Sequence, residues 1–265
     1  MSPVRRNRLK SFFGLALESF PLIKSGDDLA KIIVETAGQN GLGFEDGDVL
    51  VVAQKIFSKA EGRVIRLRDV KASRRAQRLA KIVGKDPRFV ELVLRETKKV
   101  LKASSEVLLV EDVRGLVCIN AGIDKSNVQG RGRFALLPEN PDRSAEECRR
   151  RIQQFTGKEV AVVICDTYSR PFRRGQVNFA IGIAGINPFR DYRGKKDLFG
   201  HILKVKNVAT ADEIVAAAEL VMGQGDEARP VVILRGLDES TVLRERGRIE
   251  EVFISRKEDL FRDVR

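Results

Sequence analysis

No tryptophan, two tyrosines and a single histidine, His201, stand in this chain of 265 residues. One histidine excludes a multi-histidine zinc site, and any Ser/His/Asp mechanism would depend on that residue alone, so His201 reads as structural or peripheral. The three cysteines, Cys118, Cys148 and Cys165, form no CxxC pair. At least two lie in apolar runs or on an apolar helix face, and they read as reduced core thiols of a cytoplasmic protein. No segment approaches the ~20 apolar residues that a membrane helix needs. The basic opening RRNRLKSFFGLAL is cut short by Glu18 and reads as a first strand, not a signal. Neither GxxxxGK[ST] nor a strand-linked GxGxxG occurs, so any nucleotide phosphate must be held without the two common glycine motifs. Internal repeats and low-complexity linkers are also missing.

What is present is an ordinary globular composition, 43% hydrophobic, with 49 Lys and Arg against 37 Asp and Glu for a net charge of +12. Such an excess favours anionic partners, whether nucleotides, polyanionic cofactors or nucleic acid. The length suits one enzyme-sized unit over 1–265, with a second lobe around 113–200 whose boundary falls in the turn-rich interval 113–145.

The chain is organised around residues 158–185. Residues 160–165 (VAVVIC) form a short β-branched run, as expected of a strand covered on both faces, and it is expected to end at Asp166. Asp166 and Thr167 then project from a rigid element, followed by Arg170, Arg173 and Arg174. Carboxylate and hydroxyl oxygens suit hard cations, and guanidinium forks suit phosphate. The competing reading is a strand-end Asp capping a turn beside solvated arginines.

Other segments repeat the pattern of polar groups just past a strand. Residues 49–53 are a buried strand followed by Gln54, Lys55, Ser58, Lys59 and Glu61; the hairpin of 106–110 and 116–119 leads to Asp124, Ser126 and Asn127. Helices are expected after capping boxes at Ser25/Asp28, Ser144/Glu147 and Thr210/Glu213. The first carries Leu29, Ile32, Ile33 and Thr36 on one face, the second Ala145, Cys148, Ile152 and Phe155, and the third runs to Met222. Residues 73–101 read as two helices, the second facing inward with Phe89, Val93 and Val100. The loop NPFRDYRGKKDLFGHIL reads as lining a site, and GQG at 223–225 reads as a helix cap or a close approach to phosphate. The charged tail after Ser240 is expected to be partly helical.

GDVLVVAQKIFSKAEGR, NAGIDKSNV, DTYSRPFRRGQVNFAIGIAG, the DYRGKKDLFG loop and ADEIVAAAELVMGQG, in this order and spacing, resemble the coenzyme F(420)-0:L-glutamate ligase (gamma-glutamyl ligase) family. The resemblance implies an α+β fold of the family's own type, with a mixed sheet and helices in two lobes, and an intertwined homodimer. It implies GTP as co-substrate, Mg²⁺ or Mn²⁺, with two ions, and K⁺ as a stimulating ion. Nucleotide contacts fall at Phe20, Pro21, Leu22, Ile23, Gln54, Lys55, Lys59 and Asn127, and along Met222, Gly223, Gln224, Gly225, Asp226, Glu227, Ala228 and Arg229. Metal ligands fall at Asp124, Asp166, Thr167 and Gln224, and catalytic roles at Lys59, Asp166 and Arg173. Ser169 replaces a glycine usual in the family, and Gln224 stands where some members have Glu. The implied reaction joins L-glutamate to the terminal carboxylate of a deazaflavin coenzyme precursor through an acyl phosphate, with a second, gamma-linked addition possible.

Two other readings stand beside this one. The same fold could serve a metal- and nucleotide-dependent amide ligase or phosphoryl transferase with a different acceptor. A basic RNA-binding protein is disfavoured by the shortage of stacking aromatics and the lack of RNP-like motifs.

Overall fold

Two β-branched runs, residues 49–53 and 160–165, set the architecture because every second side chain of each is buried on the opposite face. The computed structural model describes residues 10–237, 247–255 and 257–259. In chain order the main body begins with β1 (Phe13–Ala16), α1 (Leu29–Gln39), β2 (Val49–Ala53) and α2 (Gln54–Ala60). A long excursion follows through β3 (Val64–Arg66), α3 (Arg74–Val83), α4 (Pro87–Arg95), β4 (Thr97–Ala103), β5 (Leu108–Asp112), β6 (Val117–Ile119) and β7 (Arg133–Ala135). The chain returns with α5 (Pro141–Thr156), β8 (Ala161–Arg170) and β9 (Arg173–Ala184), then β10 (Arg190–Asp191), β11 (Asn207–Val208), α6 (Thr210–Met222) and β12 (Val231–Arg235).

The main sheet has the order β1-β12-β2-β8-β9, antiparallel except for the parallel pair β2 and β8. Leu50, Val52, Val162 and Ile164 face α1 and α5, while Val49, Val51, Ala161, Val163 and Cys165 face α6. This is the period-2 alternation of a sheet covered on both sides, and it makes the chain mixed α and β. Residues of the excursion from Val70 to Leu136 gather a separate apolar cluster under the three-stranded sheet β4-β5-β6. A buried ion network ties that cluster to the body: Arg114 reaches Asp112 at 2.9 Å and Glu96 at 2.5 Å, and Arg63 also holds Glu96 at 2.7 Å. Cys118, Cys148 and Cys165 are buried and unbridged, and among the described residues no helix is long and apolar enough to cross a membrane.

Several local expectations are corrected. Asp28 alone caps α1, accepting from the Lys31 amide, and Asn140 caps α5 with Pro141 in the first turn, where its lost N–H costs nothing. No side chain caps α6. Ile32 is only partly buried, and Phe155 stands out at 48% exposure, its ring beside Arg151. The second helix of the pair stops at Arg95, and Val100 belongs to β4, which finds hydrogen-bond partners in β5. The polar stretch that follows β2 is helical over residues 54–60, as α2. Beyond Ser240 the described residues include one short 3-10 helix, Ile249–Val252; residues 241–246 lie outside the described set.

Strand β8 does not end at Asp166. Its pairing with β2 ends at Cys165, opposite Ala53, but pairing with β9 carries it on to Arg170, and the chain turns at Pro171 and Phe172. Asp166 therefore sits where the sheet loses one neighbour and opens, while remaining fixed on the other side by Phe179.

Candidate active site

The carboxyl ends of β2 and β8 lie side by side, and in open sheets this is where ligands bind. Beyond them opens a cleft of ≈ 540 Å³, within the range of small-ligand sites. Its walls come from separate stretches of chain. Phe20, Pro21, Leu22 and Ile23 follow β1; Gln54, Lys55 and Lys59 lie on α2; Asn127 lies in the loop before β7. Asp166 and Thr167 come from β8, and residues 222–229 run on from the last residue of α6. All the residues expected to contact nucleotide thus line one cavity.

Asp124 stands behind the cleft, joined to it by Lys55. The Lys55 ammonium donates to Asp124 Oδ2 at 2.6 Å and also to the Ser126 hydroxyl, which itself donates to Asp124. The amides of Lys125 and Ser126 donate to Asp124 Oδ1 at 2.6 and 3.1 Å. Burial raises the Asp124 pKa, but the Lys55 and Ser126 hydrogen bonds outweigh it and hold the carboxyl far below its usual range. Asp166 behaves oppositely. Burial pushes its pKa up to about 7, and the nearby Asp124 charge adds to this, against the Thr167 amide, Lys55 and the Gln54 side chain. One cation, Lys55, therefore serves two carboxylates. Lys59, also lining the cleft, is lowered by burial and then by Lys55.

Gln54 is 1% exposed; its side-chain carbonyl accepts from the Ser58 hydroxyl at 2.7 Å, which turns its NH₂ toward Asp166 in the cleft wall. Asn127, in the left-handed region at φ 53°, donates to the Gly225 carbonyl at 3.1 Å and so links two walls. Thr167 Oγ1 lies 3.0 Å from Gln224 Oε1 and 2.9 Å from Asn178 Oδ1. Asn178, 2% exposed, lines the cleft although no motif singled it out; only the hairpin register, which sets it opposite Thr167, reveals it.

Arg173 is not part of this cleft. It opens β9 beside the turn, four residues along the strand from Asp166, or about 13 Å at the rise of a β-strand. Arg170 and Arg174 share that end of the hairpin, where Arg170 donates to the Arg174 carbonyl. The loop 187–203 does not line it either. It forms the exposed hairpin of β10 and β11, with Leu198 at 98% and Phe199 at 86% exposure, and His201 is peripheral there, 3.4 Å from Asp197.

For a divalent cation the cleft offers the Asp166 carboxylate, the Thr167 hydroxyl and the Gln224 amide carbonyl, while Asp124 stands behind it with both oxygens accepting hydrogen bonds; among the described residues no group of three or more His, Cys, Asp or Glu gathers. The set consists of hard oxygens and is short of a full shell. That fits a Mg²⁺-like ion completed by water and substrate phosphates rather than a closed protein cage.

A mixed sheet covered on both faces, with a cleft at the ends of its parallel strands that sets Asp166, Thr167 and Gln224 among apolar side chains, has the geometry of a small-ligand site on an α+β fold. The profile of the F420-0:Gamma-glutamyl ligase family matches residues 18–236. The chain is 44% identical over 248 residues to the Coenzyme F420:L-glutamate ligase of Methanothermobacter thermautotrophicus, covering 94% of this chain and 98% of that one. It is 48% identical over 246 residues to the protein of the same name from Archaeoglobus fulgidus (93% and 94% covered), and 40% identical over 262 residues to that from Methanocaldococcus jannaschii (98% and 100%). The chain belongs to the F420-0:Gamma-glutamyl ligase family.

Proposed function

We propose that this protein is a GTP-dependent ligase that joins L-glutamate to the terminal carboxylate of coenzyme F(420)-0, first through an amide and then through a gamma-linked residue. The observation that carries the reading is the cleft itself: segments from Phe20 to Arg229 converge there around Asp166, in a chain whose relatives carry that ligase name.

A carboxylate resists an amine because oxide is a poor leaving group. In the proposed reaction a carboxylate oxygen attacks the γ-phosphorus of GTP and GDP departs, leaving an acyl phosphate. The α-amine of glutamate then adds to the acyl carbon, phosphate leaves and the amine loses a proton. Anion attacks anion in the first step, so positive charge must be held against the phosphates. Lys55 and Lys59 supply it from α2, and the depressed Lys59 pKa follows from its burial in the wall. Divalent ions, Mg²⁺ or Mn²⁺, bound by Asp124, Asp166, Thr167 and Gln224, would supply Lewis-acid neutralisation of the phosphates. Leu22, 75% exposed, with Phe20 and Pro21, offers an apolar surface for the base. A cytoplasmic homodimer belongs to the same reading, supported by the exposed Leu198, Phe199 and Val205 of the β10–β11 hairpin, which a second copy would cover.

Acceptor labelled with ¹⁸O in its carboxylate tests the route. The acyl phosphate path transfers one labelled oxygen to inorganic phosphate; unlabelled phosphate alongside amide product would rule it out.

A further inference from the structure

The metal-site residues expected from sequence leave one carboxylate at the cleft unexplained. Glu219, in the last turn of α6, stands one layer behind the cavity wall, and among the described residues no ion pair joins it to a cation. Its two oxygens instead accept from two side-chain amides, Asn178 Nδ2 at 2.6 Å and Gln224 Nε2 at 2.7 Å. An ionised carboxylate only accepts, so each amide must turn its NH₂ toward Glu219 and its carbonyl away. Both carbonyl oxygens then meet at Thr167 Oγ1, Asn178 Oδ1 at 2.9 Å and Gln224 Oε1 at 3.0 Å. Gln224 Nε2 also donates to Asn178 Oδ1 at 3.3 Å, and the Thr167 proton then serves Gln224 Oε1. Each carbonyl oxygen keeps a second lone pair and the hydroxyl oxygen keeps its own, so three hard oxygens lie together with acceptor capacity that a hard cation can engage.

We infer that Glu219 is a positioning residue that fixes Asn178 and Gln224 with their oxygens toward the Thr167 side of the cleft, and that Asn178 Oδ1 is a further oxygen of the cation site. This rests on the metal-dependent reading above. Without the carboxylate, either amide can rotate by half a turn and present NH₂, a donor, where the cation needs an acceptor. Asn178 is nearly inaccessible to water, so solvent does not restore the lost orientation. Such outer contacts commonly change metal affinity about 10–100-fold.

The test is Mn²⁺ titration of the whole protein with GDP present, reading free Mn²⁺ by electron paramagnetic resonance, so that no turnover is needed. Glu219→Gln should weaken Mn²⁺ binding by about 10–100-fold, while Glu213→Gln, on the exposed side of the same helix, should not change it. The double variant Glu219→Gln with Gln224→Glu should restore affinity, because the new Gln donates to a carboxylate that now faces the cation. A purely structural role for Glu219 would show no such rescue. Should Glu219→Gln fail to fold, Glu219→Asp serves instead, since a shorter carboxylate reaches only one amide and must also weaken binding. Wild-type protein that binds tightly while the 219 variant binds equally overturns the role of Glu219 and leaves the metal reading intact. Wild-type protein that retains no Mn²⁺ overturns both.

Discussion

Replacing Asp166 by Asn should stabilise the metal-free protein at alkaline pH while abolishing turnover. The carboxyl is partly buried at the open end of the sheet, and its pKa is pushed from 3.8 up to about 7 by burial and then by neighbouring charge. A carboxyl raised in this way binds its proton more tightly folded than unfolded, so the native state loses stability as pH climbs from about 4 to about 7 and the penalty then levels off. The full shift corresponds to about 4 kcal/mol, and water entering the cleft reduces it to about 2–4 kcal/mol. Asn keeps the shape without the charge. At pH 8 the variant should melt about 5–10 °C above wild type without metal; at pH 5 the gap should shrink to less than half. Paired thermal melts in chelator at the two pH values read the difference directly. A variant that melts lower than wild type at pH 8, or a gap independent of pH, would show that Asp166 is a satisfied structural carboxylate and refute the reasoning.

Mn²⁺ affinity should rise about tenfold per pH unit below about 7 and then flatten, because Asp166 must release its proton to ligate; calorimetric titrations that give a flat profile between pH 6 and 8 would remove Asp166 from the metal. Asp112→Ala leaves Arg114 buried with one of its two carboxylate partners and should cost about 3–5 kcal/mol, seen as an earlier denaturant midpoint; an unchanged midpoint would mean the network binding the excursion to the body contributes nothing. Gly182→Ala would set a Cβ 2.6 Å from the Pro141 carbonyl carbon, where α5 crosses β9, and overpacking should cost about 1–3 kcal/mol by the same measurement, with a neutral result showing that the helix moves freely.

Strand β2 was legible to the residue because a β-branched run between Asp48 and Gln54 leaves little choice, and α6 was legible to its last residue, Met222, while Thr210, expected as its cap, is already its first helical residue. The extension of β8 was not. Asp166 and Ser169 are turn-favouring residues, and only long-range pairing with β9 makes them strand. Ser25 and Ser144 resembled caps because local pattern cannot show that Asp28 and Asn140 stand nearer the first free amides. Most of the cleft was legible through ordered motifs that share no local contact. The Lys55–Asp124 contact, 69 positions apart, and the Asn178–Glu219 contact, 41 apart, each join two separate motifs, since they depend on how the excursion and the hairpin fold back.

The central claim is tested most directly by incubating the protein with GTP, Mn²⁺, L-glutamate and coenzyme F(420)-0 and following acceptor mass and nucleotide together. The account predicts that the acceptor gains one or two glutamyl units, with one GDP and one phosphate formed for each. GTP consumed with no glutamyl product, or glutamyl product formed with GTP intact, would contradict it.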